Sequence, residues 1–239
     1  MTEKNVWLSI PDAFSAMVLA RAGFDSVTLD TQHGLFDESA VAATLMALGE
    51  AQPKRFVRPM ANDPAMVGKL LDMGADGLIV PMVNSVGDAL KLSAACFYPP
   101  RGARSFGPML AALRAGAALY TGGAANFEIY AMIETREGLD AAREIAAVDG
   151  ITGLFAGPND LGLALGLGPG SDREEPEALQ ALARIVSAAH ETGKRAGIFC
   201  SAAAYARRMA EMGFDMVTLT SDAASLRAGA AAALAAFCA

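Results

Sequence analysis

Short runs of apolar and β-branched residues recur along the chain, and the stretches between them carry apolar residues at helical spacing. Eight runs have strand character: VWLSI (6–10), SVTLD (26–30), RFVRP (55–59), GLIVPMV (77–83), EIYAMIE (128–134), GLFAG (153–157), AGIFC (196–200) and MVTLT (216–220). The helical stretches are 12–22, 38–48, 64–73, 85–97, 136–146, 176–192 and 202–212, and several end in a glycine step into the next strand, as in ARAGFD, LDMGAD and AEMGFD. The alanine-rich tail, 225–239, reads as one more helix whose small-residue faces pack on something, a second subunit being one candidate.

Strands alternating with helices build a parallel sheet. Eight repeats in 239 residues predict an α/β fold, a (β/α)8 TIM barrel folded as a single domain over 1–239. The rival, an open doubly wound sheet, expects a glycine-rich phosphate loop after its first strand, and SIPDAF has no glycine.

A barrel of this kind keeps its chemistry at the carboxyl ends of the strands and its stabilising residues at the other mouth. That rule collects Asp30 and His33 from strand two, Arg58 from strand three, Glu134 from strand five, and Asn159 and Asp160 after strand six. Glu134 shares a strand face with Met132 and so points inward, where a carboxylate needs something to offset its desolvation. Glu134 and Asp160 offer two hard oxygen ligands that suit Mg²⁺ or Mn²⁺; the structural alternative pairs them with Arg136 or Arg101 at the rim. His33 has Asp30 close enough to orient its ring and reads as an acid/base, whereas His190 falls near a helix end and reads as a solvated or helix-stabilising residue.

The lysines argue by exclusion. Lys54 and Lys194 precede strands and belong to the stabilising mouth, Lys69 and Lys91 fall on helices, and Lys4 lies in the leader, so Schiff-base catalysis has no candidate nucleophile. In AGPNDLG the backbone N–H groups of Asn159 and Asp160 can grip a carboxylate where a helix begins, although an ordinary turn explains the same letters. The Pro/Gly-rich YPPRGARSFGP opens a long connection to about residue 126, either a lid or subunit contact or, more commonly for such composition, a rigid surface loop.

Composition narrows the partners. With 53% hydrophobic residues, 19% charged residues and a net charge of −7, the chain is globular and has no Lys/Arg cluster to draw nucleic acid or an anionic membrane. Small molecules are the expected partners. Cys96, Cys200 and Cys238 are scattered without metal-ligand spacing and read as three buried hydrophobes in a reducing compartment. The start of the chain lacks signal-peptide character and no apolar run is long enough to span a membrane, so the expected location is cytoplasmic.

The motifs AGFDSVTLDTQHG, VRPMANDP, DMGADGLIVPMV, YPPRGARSFG, MIETREGL and GLFAGPNDLG, in this order over nearly the whole chain, resemble the metal-dependent (class II) pyruvate aldolases of the HpcH/HpaI type. The resemblance implies reversible cleavage of 4-hydroxy-2-oxo acids to pyruvate, or a relative such as hydroxypyruvate, and an aldehyde. It implies a phosphoenolpyruvate/pyruvate-type barrel with Glu134 and Asp160 holding a divalent ion (Mg²⁺, Mn²⁺ or Co²⁺). His33, with Asp30, would be the acid/base, directly or through a water, and Arg58 would meet the enolate oxygen. The backbone from Gly157 to Asp160, including Asn159, would bind the pyruvate carboxylate, with Trp7 and Phe199 shaping the pocket. It also implies a hexamer with carboxyl-terminal helices exchanged between subunits. Met132 stands where such aldolases often carry glutamine, and Pro108 where some carry a small polar residue; both bear on substrate preference. The alternatives are an acyl-CoA lyase of the malyl-CoA or citramalyl-CoA type and a non-catalytic barrel that binds an oxo acid.

Overall fold

The computed structural model describes residues 1–49, 53–115 and 127–238. Eight parallel strands close in chain order into a barrel: β1 (Glu3–Leu8), β2 (Ser26–Asp30), β3 (Lys54–Arg58), β4 (Gly77–Val80), β5 (Glu128–Ile133), β6 (Gly153–Ala156), β7 (Arg195–Ile198) and β8 (Met216–Ser221). Around them run α1 (Ala13–Ala20), α2 (Glu38–Leu48), α3 (Pro64–Asp72), α4 (Val86–Cys96), α5 (Met109–Ala115), α6 (Arg136–Asp140), α7 (Ala142–Ala146), α8 (Pro158–Ala164), α9 (Pro176–Glu191), α10 (Ala203–Met212) and α11 (Asp222–Cys238). Asp12, Asp37, Asp63, Ser85 and Thr135 each accept a first-turn N–H, starting five of the helices just beyond the strand ends.

The strand parity expected for a barrel organises the interior. β1 starts three residues before the expected strand because Glu3, Asn5 and Trp7 alternate inward and the polar two find partners there. At the foot, Lys54 and Arg195 each pair with both Glu3 and Glu128, so four charges from β1, β3, β5 and β7 form one alternating ring. Lys54 thus lies where the sequence put it. Above the ring, Phe56, Tyr130 and Phe155 each lean over a glycine of the next strand. A Cβ at Gly77, Gly153 or Gly197 would come within 2.4, 2.4 and 2.5 Å of those rings. Trp7, Ile79, Met132 and Met216 join them in a second core inside the barrel, separate from the larger core between strands and helices. The three aromatics fill the waist because the glycines leave room, which is the close packing that makes a barrel interior solid.

Several local expectations change. Lys4 belongs to β1, paired with Asp25, and is no leader residue. The stretch 136–146 breaks at Ala141 into α6 and α7. Cys96 and Cys200 are buried, but Cys238 is exposed, because α11 buries only its first residue. The tail helix therefore begins at Asp222, three residues earlier than expected, and Leu226, Leu234 and Phe237 face outward. The described start of the long connection sits at the foot: Arg101 pairs with Asp149, and Arg104 is buried against Asp72. Residues 116–126 of that connection lie outside the described residues.

Candidate active site

Each strand delivers its last inward residue to the same mouth. Asp30 ends β2 and Arg58 ends β3, and they are partners in register. The guanidinium grips the carboxylate with two bonds, Nε to Oδ1 at 2.8 Å and Nη2 to Oδ2 at 2.6 Å. Both groups are largely buried, and such a fork-to-fork pair fixes orientation as well as charge. Burial pushes the Asp30 carboxyl up, but Arg58, Trp7 and the His33 backbone N–H together hold it below its ordinary value. Asp30 is anionic at neutral pH.

His33 lies three residues on, exposed at the mouth. The link to Asp30 differs from the one the spacing suggested. Asp30 Oδ1 accepts the backbone N–H groups of Gln32 and His33, at 3.0 and 3.3 Å, and the ring is left to the solvent side. Asp30 therefore shapes the turn that carries the imidazole. Gly34 permits that turn: a Cβ there would fall 2.3 Å from the Asp30 carbonyl oxygen.

Glu134 follows β5 and is 2% exposed. Its Oε1 accepts the Met82 N–H at 2.7 Å, and Met82 holds φ at 56°, a left-handed conformation unusual for a long side chain. Among the described residues neither Glu134 nor Asp160 forms a salt bridge, so the rim pairing with Arg136 or Arg101 does not occur; Arg136 instead donates to Ala164 O and neighbours Glu177. Burial raises the Glu134 pKa to about 7 against the pull of the Met82 N–H and the Arg58 charge, and the negative charge of Asp160 adds to the rise. A buried carboxylate without an ion-pair partner among the described residues, next to a second carboxylate, is a donor set that fits a hard divalent ion. Gly157 keeps the approach to it open, since a Cβ there would lie 2.7 Å from Glu134 Oε2. Among the described residues no cluster of three His, Cys, Asp or Glu side chains is assembled that could hold a metal ion.

Gly157 is also the cap of α8, whose first internal bond runs from Leu161 N–H to Gly157 O. The amides of Asn159 and Asp160 precede that ladder and, with both residues exposed, face the mouth side of the helix start. Trp7 forms the floor: Arg58 lies 5.0 Å above its ring, and Phe199, just past β7, meets it edge-on at 5.3 Å. Met132, 1% exposed, belongs to the same floor, and Pro108 is buried in the connection at the foot. The candidate catalytic, binding and ligand residues lie at or near the carboxyl ends of their strands, and Pro108 lies at the foot. The backbone of Met82 was missed, since no side-chain chemistry in VPMV announces it.

The family model for HpcH/HpaI aldolase/citrate lyase matches residues 4–228. A hydroxypyruvate/pyruvate aldolase of Rhizorhabdus wittichii is 46% identical over 226 residues, 94% of this chain and 89% of that protein. A 4-hydroxy-2-oxo-heptane-1,7-dioate aldolase of Salmonella typhimurium is 34% identical over 237 residues, covering 98% and 89%. The crystal structure of a family protein from Burkholderia cenocepacia superposes with a TM-score of 0.91 at 30% identity, covering all of this chain and 95% of that one. With the barrel, the mouth and these relatives in agreement, the chain belongs to the HpcH/HpaI aldolase/citrate lyase family.

Proposed function

We propose that the protein is a class II pyruvate aldolase, a carbon–carbon lyase that reversibly cleaves 4-hydroxy-2-oxo acids to pyruvate or hydroxypyruvate and an aldehyde. One observation carries the reading: a deeply buried carboxylate, Glu134, with no cation of its own, faces Asp160 at a mouth that also holds the Asp30–Arg58 pair and His33. Its aldolase relatives support the same conclusion. The inward lysine Lys54 is spent in the foot ring, which leaves the mouth without an amine for imine chemistry.

Glu134 and Asp160 would hold a divalent ion, Mg²⁺, Mn²⁺ or Co²⁺. When bound there, the ion supplies Lewis-acid polarisation of the keto oxygen. The amides of Asn159 and Asp160, next to Gly157, orient the substrate carboxylate. Arg58 spends Nε and Nη2 on Asp30, so Nη1 is the edge that meets negative charge as the C3–C4 bond breaks and an enolate forms. His33 takes the proton from the C4 hydroxyl in cleavage and returns it in synthesis. Trp7, Phe199 and Met132 keep water off the enolate.

The acyl-CoA lyase alternative loses its cationic candidates, because Arg101 and Arg104 are paired with Asp149 and Asp72 at the opposite end of the barrel. A homo-oligomer, with a hexamer as the expected form, would cover the outward apolar residues of α11, and the three free cysteines suit a reducing, cytoplasmic setting. No helix among the described residues is long and apolar enough to cross a membrane.

The direct test is pyruvate release from a racemic 4-hydroxy-2-oxo acid after chelation and after restoring Mg²⁺, Mn²⁺ or Co²⁺. Loss with chelator and recovery with metal supports the reading. Inactivity with every metal, with oxaloacetate also untouched, would return the non-catalytic oxo-acid-binding barrel to first place.

A further inference from the structure

We infer that Asp222, the first residue of α11, is a positioning residue that holds the His33 turn in its working geometry; this rests on the aldolase reading above. Asp222 is 4% exposed and forms no salt bridge among the described residues. Its charge is met by main-chain N–H groups. Oδ1 accepts the N–H of Ala223 at 2.7 Å at the start of α11. Oδ2 reaches across the barrel seam, 213 and 212 residues away in sequence, to the N–H groups of Ser9 at 2.9 Å and Ile10 at 2.8 Å.

The start of α11 does not depend on Asp222, since Ser221 Oγ accepts the Ala224 N–H at 3.2 Å as the helix cap. The second oxygen of Asp222 fixes the turn that follows β1, and the His33 turn is built on it. Ser9 O accepts the Leu35 N–H at 2.9 Å, and a Cβ added at Gly34 would lie 3.1 Å from Ser9 Cα, so the two turns are in van der Waals register. Trp7, the floor of the site, lies two residues before Ser9. The relay is continuous: Asp222, the Ser9–Ile10 amides, the Ser9 carbonyl, Leu35, and then His33 on the same tight turn, tied from its other side to Asp30. A buried anion whose partners are amides of a distant loop sets main-chain geometry there.

Asp222→Asn keeps the shape but offers one oxygen where two served three N–H donors, so its NH2 must face either Ala223 or Ser9 and Ile10, and Asp222→Ser removes the reach to Ser9 and Ile10 while Ser221 still caps α11. Asp76→Asn serves as the stability control, because it breaks the Arg55 pair at the foot, far from the mouth. The chain has two histidines, so protein carrying ¹³Cε1-labelled histidine gives two ring signals, with His190 at the foot as an internal reference. In both Asp222 variants the His33 signal should move while His190 stays, and kcat for cleavage should fall roughly tenfold or more with KM changed less; Asp76→Asn should lower Tm and leave kcat and both signals alone.

An unmoved His33 signal and wild-type kcat in Asp222→Ser would overturn the proposal. So would His33 and His190 shifting together, which is the mark of general loosening. Should the wild type cleave no 4-hydroxy-2-oxo acid, the aldolase reading fails, while the selective movement of the His33 signal still decides whether Asp222 positions that turn.

Discussion

One strand carries the same residue at both ends of the barrel and treats it in opposite ways. Glu128 opens β5 and Glu134 follows directly on its end, six residues on, both directed inward. At the foot, burial pushes Glu128 up, but Lys54 and Arg195 more than offset that and leave its carboxyl below the ordinary value. At the mouth, burial wins and Glu134 rises to about 7. The side chain is identical and the neighbours decide. A foot whose charges are neutralised by one another is built to be permanent, and a mouth with a carboxylate only partly compensated by the Met82 N–H and the Arg58 charge is built to receive something.

The sharpest way to break this contrast is to remove the charge proposed to meet the enolate. Arg58→Gln should lower kcat on the order of a hundredfold to a thousandfold, measured as pyruvate release; retention of activity would take Arg58 out of the chemistry. His33→Ala should cost roughly a hundredfold with metal affinity by calorimetry unchanged, and a fall in affinity would recast His33 as a ligand.

Much of this was legible in the sequence because a barrel repeats one rule eight times. SVTLD and EIYAMIE announce an inward carboxylate by period alone, and the chain order of the strands carries both to one mouth. The foot ring was half legible: Lys54 could be placed, but Glu3 and Arg195 could not be known as its neighbours, since closure of β1 against β8 brings together residues almost two hundred positions apart. Met82 and Asp222 were invisible for a related reason. Met82 acts through a backbone N–H in a conformation that its own side chain disfavours, and Asp222 looks like an ordinary helix start until its second oxygen is followed to Ser9. Cys238 misled because burial was inferred from residue type, whereas α11 offers no core to enter.

Titration should separate the two ends further. Glu134 has a value near 4.5 when unfolded and about 7 when folded. The folded state therefore holds the extra proton between those values, and metal-free protein loses stability as pH rises through that window, by roughly 3 kcal/mol at most. Glu134→Gln should abolish this loss in denaturant titrations at pH 5 and pH 8, and should weaken metal binding by about a hundredfold; an unchanged pH dependence would mean that the carboxylate is compensated after all. Asp30 acts in the opposite sense, stabilising above its ordinary value of 3.8 and losing that contribution as pH falls below it. The smallest effect belongs to the foot. Glu128→Gln should lower stability by about 1–3 kcal/mol, seen as a fall of a few degrees in Tm, with kcat unaltered. A fall in kcat or in metal affinity for Glu128→Gln would erase the distinction between foot and mouth.

The three rings that lean over glycines at the waist turn the reaction chamber into a blind alley. On the proposed mechanism, a proton taken up at His33 would find the axis closed by Phe56, Tyr130 and Phe155 and would leave by the doorway through which the substrate enters. Proton traffic and product exit would then share one passage, with only their timing to keep them apart.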